Sequence, residues 1–497
     1  MKRLQNIFPA LCLSALQLLN AAELHVPKDH PTISAAIEKG QSGDVILVAP
    51  GTYRERIQLK PNLTLRSLGG DERGKLGLKR AEATIIDGSG GQDDHPGVSM
   101  AEGAGLDGFT VTGVGTYDQV KWQKAWDEKG ENQSHEHIGG FGVPGIAINA
   151  VNCLVRHNII HHIGDTGIAI RGAKGKQSSP LVIENICYRN MGGGIGSMMG
   201  STAVIEQNHC FENFYAGIGH NNASPVVRGN VCHGNVRAGI GISESASPLV
   251  SKNRCYGNRR AGIGIRTGKE TRPIVENNDC YENEMAGIGC DEEASPVIRG
   301  NRCKRNKLAG IGVRSNSAAY ILENHCHENG AAGIGISTAG AVIVRNQIEN
   351  NKTAGIGISG KSKASVIENT CLENRLVAVG IPNGGEALLH GNTLVRTGGM
   401  PPIVAIFEGS KTILTGNTIK GGGIAGIMLS GRLDAFGNSI EGQNGANGIL
   451  AREGSEVVLS GNAIKGYRTP VSDQNAKSVV EVDKPKKDAP SKARAGR

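Results

Sequence analysis

The chain has 497 residues, among them 73 glycines, with 3% aromatic and 38% hydrophobic residues and a formal net charge of +8. So few large apolar side chains exclude one thick globular core, while the hydrophobic fraction is too high for a disordered chain; a thin core repeated many times satisfies both. The positive charge is spread without a dense Lys/Arg block, which argues against nucleic acid as the partner and leaves a mild preference for anions.

At the N-terminus Lys2 and Arg3 precede an apolar run from Ile7 to Leu19, and small residues follow at Ala21 and Ala22. The run is too short for a comfortable membrane span and has the order of a secretory signal, so residues 1–22 are expected to be removed, leaving a secreted or periplasmic protein without a membrane span. Residues 23–114 open with a short strand and a helix. Thr32 or Ser34 is placed to cap it, Ala35, Ala36 and Ile37 form its apolar side, and Gly40 stops it. Such a helix would plug the open end of a repeat stack.

Residues 115–143 interrupt the rhythm and hold the only two tryptophans, Trp122 and Trp126, four apart and so on one face of a short helix. A long insertion on one coil is a usual place for a binding surface. Two readings stay open: a platform on which sugar rings stack, or a lid that buries both indoles against the repeats. His135 and His137, with His161 and His162 one coil later, have a spacing that can chelate a transition metal, although no third ligand is fixed by it.

Residues 144–471 repeat. Ala-Gly-Ile-Gly begins at 216, 238, 261, 286, 309, 332 and 354, and each period carries an Asn, a Cys two later and a second Asn three after that. Three short strands in 22–25 residues, with no room for a helix, make one turn of a parallel β-helix, and about 14 turns are legible. The Asn residues are expected to stack along the corners and to take the left-handed backbone there. Cys187, Cys210, Cys232, Cys255, Cys280, Cys303, Cys326 and Cys371 share one position with Ile348 and Leu394, so they read as inward-facing small hydrophobes rather than disulfide partners. Alternation along a strand turns Ile218 inward and both glycines of each copy outward. Seven coils would then bare a strip of backbone. Tyr215, Arg237 and Arg260 stand on one rim, and Asn221, Arg266, Asp291 and Arg314 on the other. Arginine forks match carboxylates, so the strip suits an extended anionic polysaccharide; charge ladders that merely offset like-charge stacking are the structural alternative. Residues 472–497 have almost no core-forming content and are expected to be a disordered tail.

Residues 24–470 resemble the pectin-lyase-like superfamily of secreted β-helix proteins. The resemblance is carried by Gly51-Thr52-Tyr53-Arg54-Glu55, "LTLRS" and "ATIIDGSG", which are similar to pectin methylesterase-like and NosD-like periplasmic proteins, together with the repeats. It implies an all-β, right-handed, single-stranded parallel β-helix with an N-terminal capping helix. Function is implied less sharply, since a fold hosts many activities. A polysaccharide-binding protein acting as lyase or epimerase, with Ca2+ assisting, is one reading, and a NosD-like factor for copper-site maturation is another. A non-catalytic surface rod is the third. The catalytic motifs of the related enzyme families are not matched, so no catalytic residue is assigned, and no cofactor beyond Ca2+ or copper comes into view.

Overall fold

The computed structural model describes residues 21–482 apart from 71, 91–93, 134–141 and 177; all but the last two residues of the expected signal peptide lie outside them, as does most of the expected tail. Each coil lays one strand on each of three faces, as Leu249–Ser251, Arg254–Tyr256 and Ile263–Ile265 do in the middle of the rod. Strands pair in parallel with their counterparts one coil on, Val250 with Val275, Cys255 with Cys280, Gly264 with Gly289, and the register shifts only near the C-terminal end, between Glu441 and Gly445. The first face is a 19-stranded sheet. The other two merge through the long strand Ser439–Ala451, which pairs with Thr418–Gly421 and Ala425–Leu429 at once.

One strand per coil on the first face makes about 19 coils, where the sequence showed about 14. The extra coils lie at the ends, where the Asn-Cys-Asn signature is missing. Glu23–Val26, Val45–Val48, Thr64–Ser67 and Gly105–Asp107 start the stack, and Ser478–Glu481 ends it by pairing with Glu456–Leu459. The rod therefore runs on past residue 471. The N-terminal helix is Ile33–Lys39, with Thr32 Oγ1 accepting from the Ala35 N–H at 3.1 Å and Ile33, Ala36 and Ile37 buried. The Glu55 carboxylate accepts from the Ile33 and Ser34 N–H groups at 2.9 and 2.8 Å, so an anion sits where those N–H groups would otherwise lack partners. No helix of the described residues is long and apolar enough to cross a membrane.

Two buried Asn ladders seam the faces together. Asn258 Oδ1 accepts from the backbone N–H and the side-chain amide of Asn235, at 3.2 and 3.0 Å; its own Nδ2 donates to Asn283 Oδ1 at 2.9 Å and to the Cys232 carbonyl. The left-handed residue at these corners is not the Asn but the one before it: Glu184, Lys252, Asn277 and Glu323 have φ of 55°, 56°, 55° and 55°. Asparagine is needed for its amide, which serves the corner backbone that sheet pairing leaves over. The described cysteines are free and buried, and Cys255 stands in register between Cys232 and Cys280.

Candidate functional site: a groove along the third face

The two glycines of each Ala-Gly-Ile-Gly do different things, which corrects the expectation that both face solvent. The strand begins at Ile263, not at Ala261, and the chain bends at Gly262. A Cβ on Gly262 would lie 2.7 Å from the Gly287 carbonyl oxygen, 2.8 Å from Asn283 Nδ2 and 3.1 Å from the Cys280 Cβ. Gly239, Gly287 and Gly310 are held the same way against the next coil. Only glycine fits where the bend brings one coil onto the Asn and Cys ladders. The second glycine is the outward one: a Cβ on Gly264 would meet only the Ala238 methyl, at 3.7 Å, and one on Gly357 nothing within 4 Å. Counting alternation back from the inward Ile placed the first glycine on the wrong side, because the period of two starts only after the bend.

Alanine methyls and second glycines thus pave a groove of about 650 Å3. It runs from Asp165 and Thr166 to Ser359 and Pro382, with Ala238, Gly241, Ala261, Gly264, Ala286 and Gly289 in the middle of its floor. From Thr166 to Ser359 it covers eight coil steps, about 38 Å. Tyr215, Arg237, Arg260, Met285 and Leu308 line it from one side, and Ser243, Arg266, Asp291, Arg314 and Ser337 from the other. Of the sequence candidates, Asn221, Trp122 and Trp126 are not brought to it.

Arg260 holds the centre. Burial and the neighbouring guanidiniums of Arg237, Arg266 and Arg314 lower its pKa to about 10, against the opposing pull of Asp291. It remains charged at neutral pH. Groups from both rims act on it, so one ligand would feel both. The Asp291 carboxylate accepts from Arg314 Nη2 at 2.6 Å. Burial pushes its pKa up, but the Ser315 hydrogen bond and Arg314 outweigh that and hold it below the usual range. Four guanidiniums face one carboxylate here, an excess of three positive charges in a sheltered cleft. That arrangement binds anions and stabilises negative charge.

The insertion folds as the lid rather than the platform. The helix Gln119–Asp127 is capped by Asp118, which accepts from the Lys121 N–H at 2.9 Å. Trp122 is buried against Phe214 and Val236, and its indole N–H donates to the Glu212 carbonyl at 2.8 Å. Trp126 stacks on it with centroids 5.5 Å apart, while Arg189 covers the Trp122 ring and Arg259 the Trp126 ring, each at 5.0 Å. Stacking and cation–π contacts thus occupy both indoles, and no open face is left for a sugar. The insertion also braces the groove, since Gln133 Oε1 accepts from Arg237 Nη1 at 3.3 Å.

Two of the four histidines expected to chelate a metal are described. His161 and His162 face each other with Nδ1 atoms 2.8 Å apart, beside Tyr117 and Tyr188. Burial lowers the His161 pKa to about 4. His135 and His137 lie outside the described residues. Among the described residues no group of three or more His, Cys, Asp or Glu could hold a metal ion.

A ring stack on the second face escaped the sequence reading. The residue after each Cys faces outward on the second face, and there His161, Tyr188, Phe211, His233, Tyr256 and Tyr281 stack ring on ring; Tyr188 and Phe211 are 5.0 Å apart with planes 2° off parallel. Alignment of the copies contained that signal. His220 occupies an inward position that Ile242 and Ile265 fill in later coils; Ser197 Oγ lies 2.8 Å from its Nδ1, its Nε2 has no partner, and burial lowers its pKa to about 3.

Comparison with known proteins agrees with the architecture. The family described as right handed beta helix region matches residues 137–271 and 243–372. The chain forms a right-handed parallel β-helix. It is similar to the A-module of the Azotobacter vinelandii mannuronan C-5 epimerase AlgE4, at 14% identity over 70% of this chain and 86% of that one, with a TM-score of 0.41. It is also similar to the pre-mature gene product 12 of bacteriophage phi29, at 13% identity over 90% and 70% with a TM-score of 0.48. A third likeness is to the catalytic unit of a GH87 alpha-1,3-glucanase from Streptomyces thermodiastaticus, at 15% identity over 78% and 65% with a TM-score of 0.34. No curated protein matches the sequence.

Proposed function

We propose that this protein is exported and binds an extended acidic polysaccharide along the groove of its third face. The observation that carries the proposal is the combination of a floor bearing nothing larger than a methyl with arginines that converge on one point from both rims. A linear chain can lie down on such a floor without steric interruption. Alanine methyls suit the apolar C–H faces of sugar rings, and guanidinium forks suit their carboxylates. The groove's length, about 38 Å, calls for a polymer rather than a small molecule.

The test is retention on a panel of immobilised acidic glycans. The protein is expected to be retained, and the Arg237→Ala, Arg260→Ala double variant to elute at clearly lower salt while unfolding at the same denaturant concentration. Equal retention of the two proteins would overturn the reading. A lyase activity would appear in the same panel as ultraviolet absorbance from unsaturated uronates, and an epimerase activity as a change in uronate stereochemistry without chain cleavage.

A further inference from the structure

The charge in the groove is zoned. Arg237, Arg260, Arg266 and Arg314 fall within three coil steps, about 14 Å of the length, and the single carboxylate among them is Asp291. Toward the C-terminal end the rims turn neutral, with Ala331 and Thr353 on one side and Ser337 and Ser359 on the other. The opposite end carries the Asp165 carboxylate, whose Oδ2 accepts from the Gly142 N–H at 3.1 Å. A polymer with an acid on every sugar would set one carboxylate against Asp165 and others over the Ala331–Ser359 stretch, where no cation lines the groove. Each carboxylate withdrawn from water without a partner opposes binding.

We infer that the ligand is a heteroglycan in which an acidic sugar is flanked by neutral ones, and that the basic zone reads the acid while the stretches of the groove on either side of it, which lack cations, take the neutral sugars. This rests on the glycan reading above and narrows it. Neutral sugars turn their C–H faces to the alanine methyls at little cost, whereas the four guanidiniums in the middle select one position along the chain for the carboxylate. The groove would therefore fix the register of the bound polymer as well as its direction.

Calorimetry with soluble oligosaccharides of equal length separates the outcomes. The probes are a homopolymeric oligouronate, a gellan fragment in which one uronic acid is followed by neutral sugars, and a wholly neutral glucan. The gellan fragment is expected to bind about tenfold tighter than the oligouronate. Its affinity should fall with salt as about three ion contacts require, rather than one for every coil. The Ser337→Arg, Ser359→Arg double variant, which extends the basic zone, should narrow the preference by raising oligouronate affinity. A wild-type preference for the oligouronate, with a salt dependence counting one contact per coil, would overturn the inference and leave the glycan reading standing. Equal binding of the neutral glucan would overturn the role given to the arginines, and failure of all three probes would sink both proposals.

Discussion

The second and third faces of the rod are built by the same chain at the same coil spacing, yet they meet solvent in opposite ways. On the second face each coil from His161 to Tyr281 sets a ring flat against the ring of the next coil. Rings at strand spacing satisfy one another, and their edges are what remains outside. On the third face the equivalent outward positions are alanine and glycine, which cannot reach each other, and a trench stays open. In-register stacking therefore turns a large residue into a closed surface and a small one into an accessible groove. Aromatic residues near a groove are not evidence of a sugar platform unless a face is left uncovered; here Trp122 and Trp126 are covered and the groove does without them.

The contrast between faces can be broken by substitution. The largest effect is expected at the first glycine of a copy: Gly262→Ala should cost about 3 kcal/mol or more, because its Cβ would press on the Gly287 carbonyl and the Asn283 amide of the next coil. Urea unfolding of the purified protein measures it. Next is Asn258→Ala, which strands the Asn235 backbone N–H and takes one partner each from the Asn235 and Asn283 amides and the Cys232 carbonyl, and should cost about 3 kcal/mol in the same assay.

His220→Ile tests the lumen beneath the groove through pH. Burial lowers the folded pKa of His220 to about 3, far under the ordinary 6.5. The unfolded chain therefore takes up this proton first as pH falls. The stability is fully present above about pH 6.5 and drains away as pH drops toward the folded value. His161 and His209, each lowered to about 4, act in the same direction. The Ile variant should leave the urea midpoint near neutral pH little changed and raise it at about pH 4; an identical loss on acidification in both proteins would contradict the assignment.

Smaller effects sharpen the comparison. Tyr256→Ala opens the ring stack between His233 and Tyr281 and should cost about 1 kcal/mol without altering glycan retention. Smallest of all, Gly264→Ala should stay within ~0.5 kcal/mol of the wild type, since its methyl would meet only the Ala238 methyl at 3.7 Å. The larger Gly264→Leu should fold equally well but lose retention, because it fills the groove rather than the core. A destabilised Gly264→Ala would show that the second glycine, too, is a packing residue.

Much of this was legible in the chain itself. Asn and Cys at fixed offsets in every period define a coil, and a position that takes Cys in one copy and Ile in another must face inward; Cys371 above Ile348 shows it. Such regularities need only one-dimensional spacing, because each coil repeats the environment of the last. The direction of each glycine was beyond that reading. The bend at Gly262 resets the alternation of the strand, and where a strand starts is decided by the neighbouring coil that pairs with it. The terminal coils were hidden because they keep the backbone pairing but lose the side-chain signature. The fate of the tryptophans turned on Phe214, Val236, Arg189 and Arg259, which come from coils far along the chain. Repetition is local and can be read from the letters; which surface is covered, and by what, depends on contacts between distant segments that only the folded rod brings together.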